Sequence, residues 1–186
     1  MATTYEPDPA GPGLTWAALL VALGGSAGSL YLTLEMGLKP CPLCYYQRSF
    51  IMGVAAVLLM GLLTGAGRVA PLCLLALPLG AAGAGVAGFH VYLEKVGALE
   101  CPAGILGVGS APQQSLGVFV VLAVLLLADS LRRGGGPVVR FIAMLLAVAL
   151  GGGIAYGCIT SVPREPPPPR AWPEGATKTC RQPFHP

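Results

Sequence analysis

The chain has 186 residues, of which 54% are hydrophobic and only 10% charged. A soluble domain of this length would need far more charge to cover its surface, so the composition points to an integral membrane protein with no large soluble domain. The net charge of +3 is scattered, with no basic stripe interleaved with aromatics, which argues against nucleic acid as a partner and leaves membrane lipid.

About 20 apolar residues cross a bilayer, and the hydropathy pattern predicts spans over about residues 14–34, 42–63, 69–92, 115–131 and 138–159. The fold class expected is therefore an all-α membrane protein, with a transmembrane bundle over 1–161 and an extended Pro-rich tail over 162–186 that carries Cys180. No small-residue cleavage site clearly follows the first apolar segment, which is read as a retained helix. The apolar part of the second span, Phe50 to Leu63, is too short to cross alone, so its helix is expected to begin near Pro42 and to include Tyr45, Tyr46, Gln47 and Arg48 at the interface.

In the third span Gly80, Ala84 and Gly88 form a smooth stripe suited to close helix packing, and Gly151 to Gly153 in the fifth suits a bend or a close contact. Arg68 in one short loop, and Arg132, Arg133 and Arg140 in another, place those loops on the cytoplasmic side. Lys39, Arg48 and Lys95 on the opposite side make the margin slim. An odd number of spans puts the termini on opposite sides, and the tail "VPREPPPPRAWPEGATKTC" favours extended polyproline II, long enough to cross the face of a small bundle.

The cysteines are Cys41, Cys44, Cys73, Cys101, Cys158 and Cys180, and all but Cys73 fall at or near the non-cytoplasmic face. Disulfides persist outside the cytoplasm, so the bias points to stapled loops or to redox chemistry there. For the pair in "KPCPLCYYQR", zinc would need two further ligands, for which the sequence offers no second CxxC or His pair, and haem attachment would need His where Tyr45 stands. Pro42 pre-orders a helix N-terminus whose partial positive charge favours thiolate, which suits redox work. Arg48 lies four residues after Cys44 on the same helix face, where it can stabilise a thiolate and hold an anionic or carbonyl ligand; the alternative is a snorkelling interfacial arginine. Cys73 is read as a small buried hydrophobe.

These residues resemble a known family. "CPLCYYQR" is similar to the CxxC-x-x-x-R signature of the disulfide bond formation protein B (DsbB) family at its first outer loop, and the likeness extends through "HVYLEKVGALECPAG", over roughly Leu14 to Leu131. The resemblance implies a four-helix DsbB-like bundle, here with a fifth transmembrane helix added. It implies a thiol:quinone oxidoreductase in the inner (cytoplasmic) membrane, active cysteines on the extracytoplasmic side, that reoxidises a thioredoxin-like (DsbA-like) thiol oxidase. A bound quinone, ubiquinone or menaquinone, is implied as cofactor, with Cys44, Arg48 and His90 at its site and His90 hydrogen-bonded to a quinone carbonyl; a lone interfacial histidine is the plainer alternative.

The family's second cysteine pair is incomplete here, because the loop after the third span holds Cys101 and no other cysteine. The fifth helix would deliver the tail to the outer face, which makes Cys180 the expected partner, Cys158 at a helix end the runner-up, and a Cys158 to Cys180 pairing would leave Cys101 single. The expected catalytic set is Cys41, Cys44, Cys101 and Cys180. A vitamin K epoxide reductase-like enzyme would carry its CxxC near the last helix, and a non-catalytic scaffold stapled by disulfides is the reading from a different class.

Overall fold

Proline has no amide hydrogen to give, so it is cheapest in the first turn of a helix, where the amide would lack a partner. Pro42 and Pro137 open two of the helices in this way, and Pro71 stands as the N-cap of another. The computed structural model describes residues 13–65, 71–132, 136–162 and 179–180. Arg68, Arg133 and the Pro-rich run after Val162, invoked above for orientation and reach, lie outside the described residues.

Among the described residues five helices are long and apolar enough to cross a membrane: α1 (Gly13–Leu34), α2 (Pro42–Leu63), α3 (Leu72–Lys95), α4 (Ala111–Arg132) and α5 (Pro137–Thr160). The protein is an all-α membrane protein. The helices correspond one to one with the expected spans, and the differences have local causes. α3 starts after Pro71 and runs on to Lys95, because helical hydrogen bonding continues past the point where hydropathy falls. α4 starts at Ala111, where the Ser110 hydroxyl accepts the Gln113 amide at 3.4 Å as a cap.

α3 is the central element and touches α2, α4 and α5, while α1 packs on α2 and α4. Small residues set the approach distances. Gly83 lies against the ring of Phe119, and a methyl group there would collide with it; Gly80 faces Leu126 and Gly85 faces Ala155. Gly88, the last residue of the expected stripe, has open space around it, so the close contacts follow Gly80, Gly83 and Gly85 instead. Gly151 is where α5 meets α3: a Cβ there would come within 2.6 Å of the Pro78 carbonyl oxygen, so only glycine lets the two backbones meet. The Leu, Val and Phe side chains on the outer surface, such as Leu20, Leu63, Val138 and Leu146, are exposed as lipid-facing residues are.

The start of α2, the end of α3, the start of α4 and the end of α5 share one end of the bundle. The loop from Val96 to Ser110 crosses that end. Gly97, Gly107 and Gly109 take positive φ there, an antiparallel bridge joins Ala103 to Ser110, and the Ser110 hydroxyl donates to the Glu94 carboxylate at 2.6 Å. This anchoring to α3 fixes the position of Cys101.

Candidate active site

Cys41 is the N-cap of α2, and its sulfur accepts the Cys44 backbone amide at 3.3 Å. The CxxC spacing then puts Cys44 in the first turn with its sulfur 2.8 Å from that of Cys41, both cysteines being free. The hydrogen bond with Cys44 and burial push the Cys41 thiol above the ordinary cysteine range, against an opposing pull from His90.

Cys101 is joined to Cys180 by a disulfide, with Cα atoms 4.2 Å apart and a sequence separation of 79 residues. Cys158 is a free, half-buried thiol at the end of α5. The bond brings the two cysteine pairs together: the sulfurs of Cys41, Cys44 and Cys180 and a ring nitrogen of His90 all lie within 4.8 Å of one another.

His90 is fully buried between the pairs. Its Nε2 lies 3.8 Å from the Cys41 sulfur and 3.5 Å from that of Cys101. Its Nδ1 faces the Gln47 side-chain amide at 3.1 Å, and the Gln47 oxygen accepts the Ser115 hydroxyl at 2.6 Å. An amide nitrogen can only donate, so Nδ1 is the acceptor and the neutral ring carries its proton on Nε2, toward the sulfurs. Both ring nitrogens are thus turned to protein atoms.

Arg48 is held against α1. Its Nε donates to the Ser29 hydroxyl at 2.9 Å, and one terminal nitrogen donates to the Ser29 carbonyl at 2.8 Å and the Thr33 hydroxyl at 2.6 Å, tying α2 to α1. It also lies 5.9 Å from the centre of the Tyr45 ring. Arg48, Cys44, Gln47 and His90 line one end of a cavity of about 640 Å³ whose remaining wall is mostly apolar, including Val21, Leu32, Ile51 and Val118. A smaller cavity of about 210 Å³ reaches Cys41 and Cys180 beside Leu99 and Val162.

Cys73 is buried at the other end of the bundle, its sulfur 3.8 Å from the Thr15 hydroxyl, which donates to Asp129 at 3.2 Å. The residues that the sequence reading did not single out are Gln47, Ser115, Ser29 and Thr33. Their signal was modest: polar side chains within apolar spans, with Ser29 and Thr33 one turn apart.

Fold and site together define a polytopic helical membrane protein in which two cysteine pairs meet over a buried histidine at one end of the bundle. The family model for disulfide bond formation protein DsbB matches residues 13–116, from α1 into α4 and including Cys41, Cys44, Arg48, His90 and Cys101. The chain belongs to the DsbB family. It is 37% identical over 91 residues to disulfide bond formation protein B of Saccharophagus degradans, covering 45% of this chain and 54% of the relative. It is 41% identical over 90 residues to the protein of that name from Marinobacter nauticus, covering 45% and 51%. Disulfide bond formation protein B 1 of Pseudomonas fluorescens is 33% identical over 88 residues, covering 47% and 52%. The chain spans about half the length of the curated relatives it matches. No solved structure gives a significant match. Both α5 and Cys180 lie beyond the matched segment.

Proposed function

We propose that this protein is a membrane disulfide-generating oxidoreductase that takes electrons from the thiols of a thioredoxin-like extracytoplasmic oxidase and delivers them to a membrane quinone. The observation that carries the reading is the placement of the CxxC pair: Cys44 lines the large apolar cavity, while Cys41 lies beside Cys180. One dithiol thereby faces both a large, mostly apolar space and a second disulfide.

The thiol steps balance as follows. A partner thiolate attacks the Cys101 sulfur, Cys180 leaves, and the partner's second thiol resolves the mixed disulfide, leaving Cys101 and Cys180 reduced. Cys180 then attacks Cys41 of an oxidised CxxC pair, Cys44 leaves, and Cys101 closes back on Cys180 as Cys41 departs. The product is a Cys41 and Cys44 dithiol beside a Cys101–Cys180 disulfide, which is the bonding of the described structure. The Nε2 proton of His90 lies in reach of Cys41 and Cys101, the sulfurs released in these steps.

The large cavity suits a quinone, since its wall is apolar while Arg48 and Cys44 stand at one end. A bound quinone would supply a two-electron, two-proton acceptor. Arg48 would offer positive charge to the oxygen at that end, held in place by Ser29 and Thr33. With both its ring nitrogens engaged, His90 serves the sulfurs; a bond to a quinone carbonyl would require it to give up Gln47 or the thiols.

We place the cysteine end outside the bacterial cytoplasmic membrane, because Arg132 and Arg140 flank the α4–α5 connection at the other end. The test is anaerobic quinone reduction by a reduced thioredoxin-like protein, with and without this protein in bilayer discs. Catalysed turnover is expected; no turnover, with Cys41 and Cys44 locked in a stable disulfide, would favour the stapled-scaffold reading.

A further inference from the structure

The sequence offers a zinc half-site without the other half: CxxC at a helix start is a common metal knuckle, but no second pair of ligands lies near it along the chain. The fold supplies that half. His90 from α3 and Cys180 from beyond α5 converge on Cys41 and Cys44, and the four donor atoms lie within 4.8 Å of one another.

We infer that the fully reduced protein binds one zinc ion through Cys41, Cys44, Cys180 and His90, a redox-gated site that withdraws the dithiols from exchange. Three thiolates and one imidazole are a structural zinc set. With metal–sulfur and metal–nitrogen bonds of about 2.3 and 2.05 Å, a tetrahedral site separates its sulfurs by about 3.8 Å and sulfur from nitrogen by about 3.6 Å. The observed separation of Cys41 sulfur from His90 Nε2 is 3.8 Å, and the two CxxC sulfurs need only open from 2.8 Å. A neutral imidazole that ligates through Nε2 carries its proton on Nδ1, so the Gln47 side chain would turn its oxygen to accept that proton, with the Ser115 hydroxyl reversing to accept the Gln47 amide, and would orient the ligating ring. The site is gated because Cys180 is bonded to Cys101 in the described state and becomes a ligand only when that disulfide opens. This inference does not rest on the proposed quinone chemistry, since a chemical reductant opens the bond.

The experiment uses the full-length protein in bilayer discs. A phosphine reductant with water takes the disulfide to two thiols and leaves as its phosphine oxide; cobalt(II) then serves as the coloured probe and zinc as its competitor. Binding releases up to three thiol protons, a second readout. The fully reduced protein is expected to take up one cobalt with visible bands of tetrahedral cobalt thiolate, bleached by one equivalent of zinc, whereas the protein with its Cys101–Cys180 disulfide intact binds at least about tenfold more weakly. Cys180→Ser and His90→Ala should each weaken reduced-state binding by at least about tenfold. Cys101→Ser is the decisive companion, because it breaks the same disulfide as Cys180→Ser yet removes no ligand, and it should bind metal like the reduced wild type. Equal binding with the disulfide intact, absence of thiolate bands after reduction, or loss of binding in Cys101→Ser with retention in Cys180→Ser would overturn the assignment. Cys73→Ser and Cys158→Ser should leave the spectrum unchanged, and a change in either would point the metal elsewhere.

Discussion

The Nδ1 atom of His90 accepts a hydrogen bond from the Gln47 side chain at 3.1 Å, and this single contact between α3 and α2 decides which ring nitrogen offers a proton to the cysteines. Gln47 is itself held by Ser115 on α4, so three helices fix one tautomer. Replacing Gln47 with Leu removes the donor and leaves a buried acceptor unmatched, at about 1–3 kcal/mol. Gln47→Leu is expected to slow electron transfer from the Cys101 and Cys180 dithiol to the Cys41–Cys44 disulfide by about tenfold, with a smaller effect in Ser115→Ala. Rapid-mix acid quench and thiol alkylation would follow it, and an unchanged rate would take the tautomer out of the mechanism.

Cys44→Ser is expected to abolish quinone reduction, because Cys44 is the member of the CxxC pair that lines the large cavity. In Cys41→Ser the Cys44 sulfur remains at the cavity while exchange with Cys180 is lost, so this variant should hold a thiolate beside added quinone without turning over. Absorbance of the quinone complex, together with steady-state turnover, distinguishes the two.

Arg48→Met should weaken quinone binding by about 10- to 100-fold, the order expected for losing charged hydrogen bonds worth about 1.5–3 kcal/mol. Arg48→Lys keeps the charge but cannot reproduce the fork that grips Ser29 and Thr33, so it should recover affinity only in part. Titration by quenching of intrinsic fluorescence, with helix content checked by circular dichroism, measures both. Equal affinity in the Met variant would remove Arg48 from the site.

Peptide mapping of the oxidised protein should yield Cys101 joined to Cys180. A thioredoxin-like partner lacking its resolving cysteine should be trapped on Cys101. A Cys158 to Cys180 peptide would overturn the pairing, and no adduct on either member of the pair would leave the bridge a structural staple.

Gly151→Ala should lower the thermal stability of the bundle by about 1–3 kcal/mol, since the added methyl group meets the Pro78 carbonyl and the Ala81 side chain. Gly152→Ala, with open space around it, should be neutral within about 0.5 kcal/mol. The contrast tests whether α5 is docked on α3 as described, and equal effects of the two substitutions would argue against that docking.

The parts of this molecule that were readable in advance are those governed by local geometry. Length and hydropathy locate five spans, Pro42 places a helix start at the CxxC pair, and helical periodicity puts Arg48 one turn below Cys44. What escaped depends on how helices are rotated about their axes. Nothing along the chain says that Gln47 faces His90, or that Ser29 and Thr33 turn toward Arg48 rather than lipid. Close packing at Gly83 and Gly85 instead of Gly88 has the same origin, because a stripe of small residues is symmetric until a partner chooses a side. The partner of Cys101 was arguable only through the parity of the helices, since a separation of 79 residues carries no local signal.

That long separation also shapes what happens when the bond opens. Cys180 remains covalently tethered through α5, so it cannot diffuse away from Cys101 as a free leaving group would, and recapture is unimolecular with an effective concentration set by the connecting chain. The chain after Ser161 would then act as a leash: lengthening it should dilute Cys180 and slow both its recapture of Cys101 and its attack on Cys41, while cutting it should leave the Cys101 thiol with no cysteine to close on.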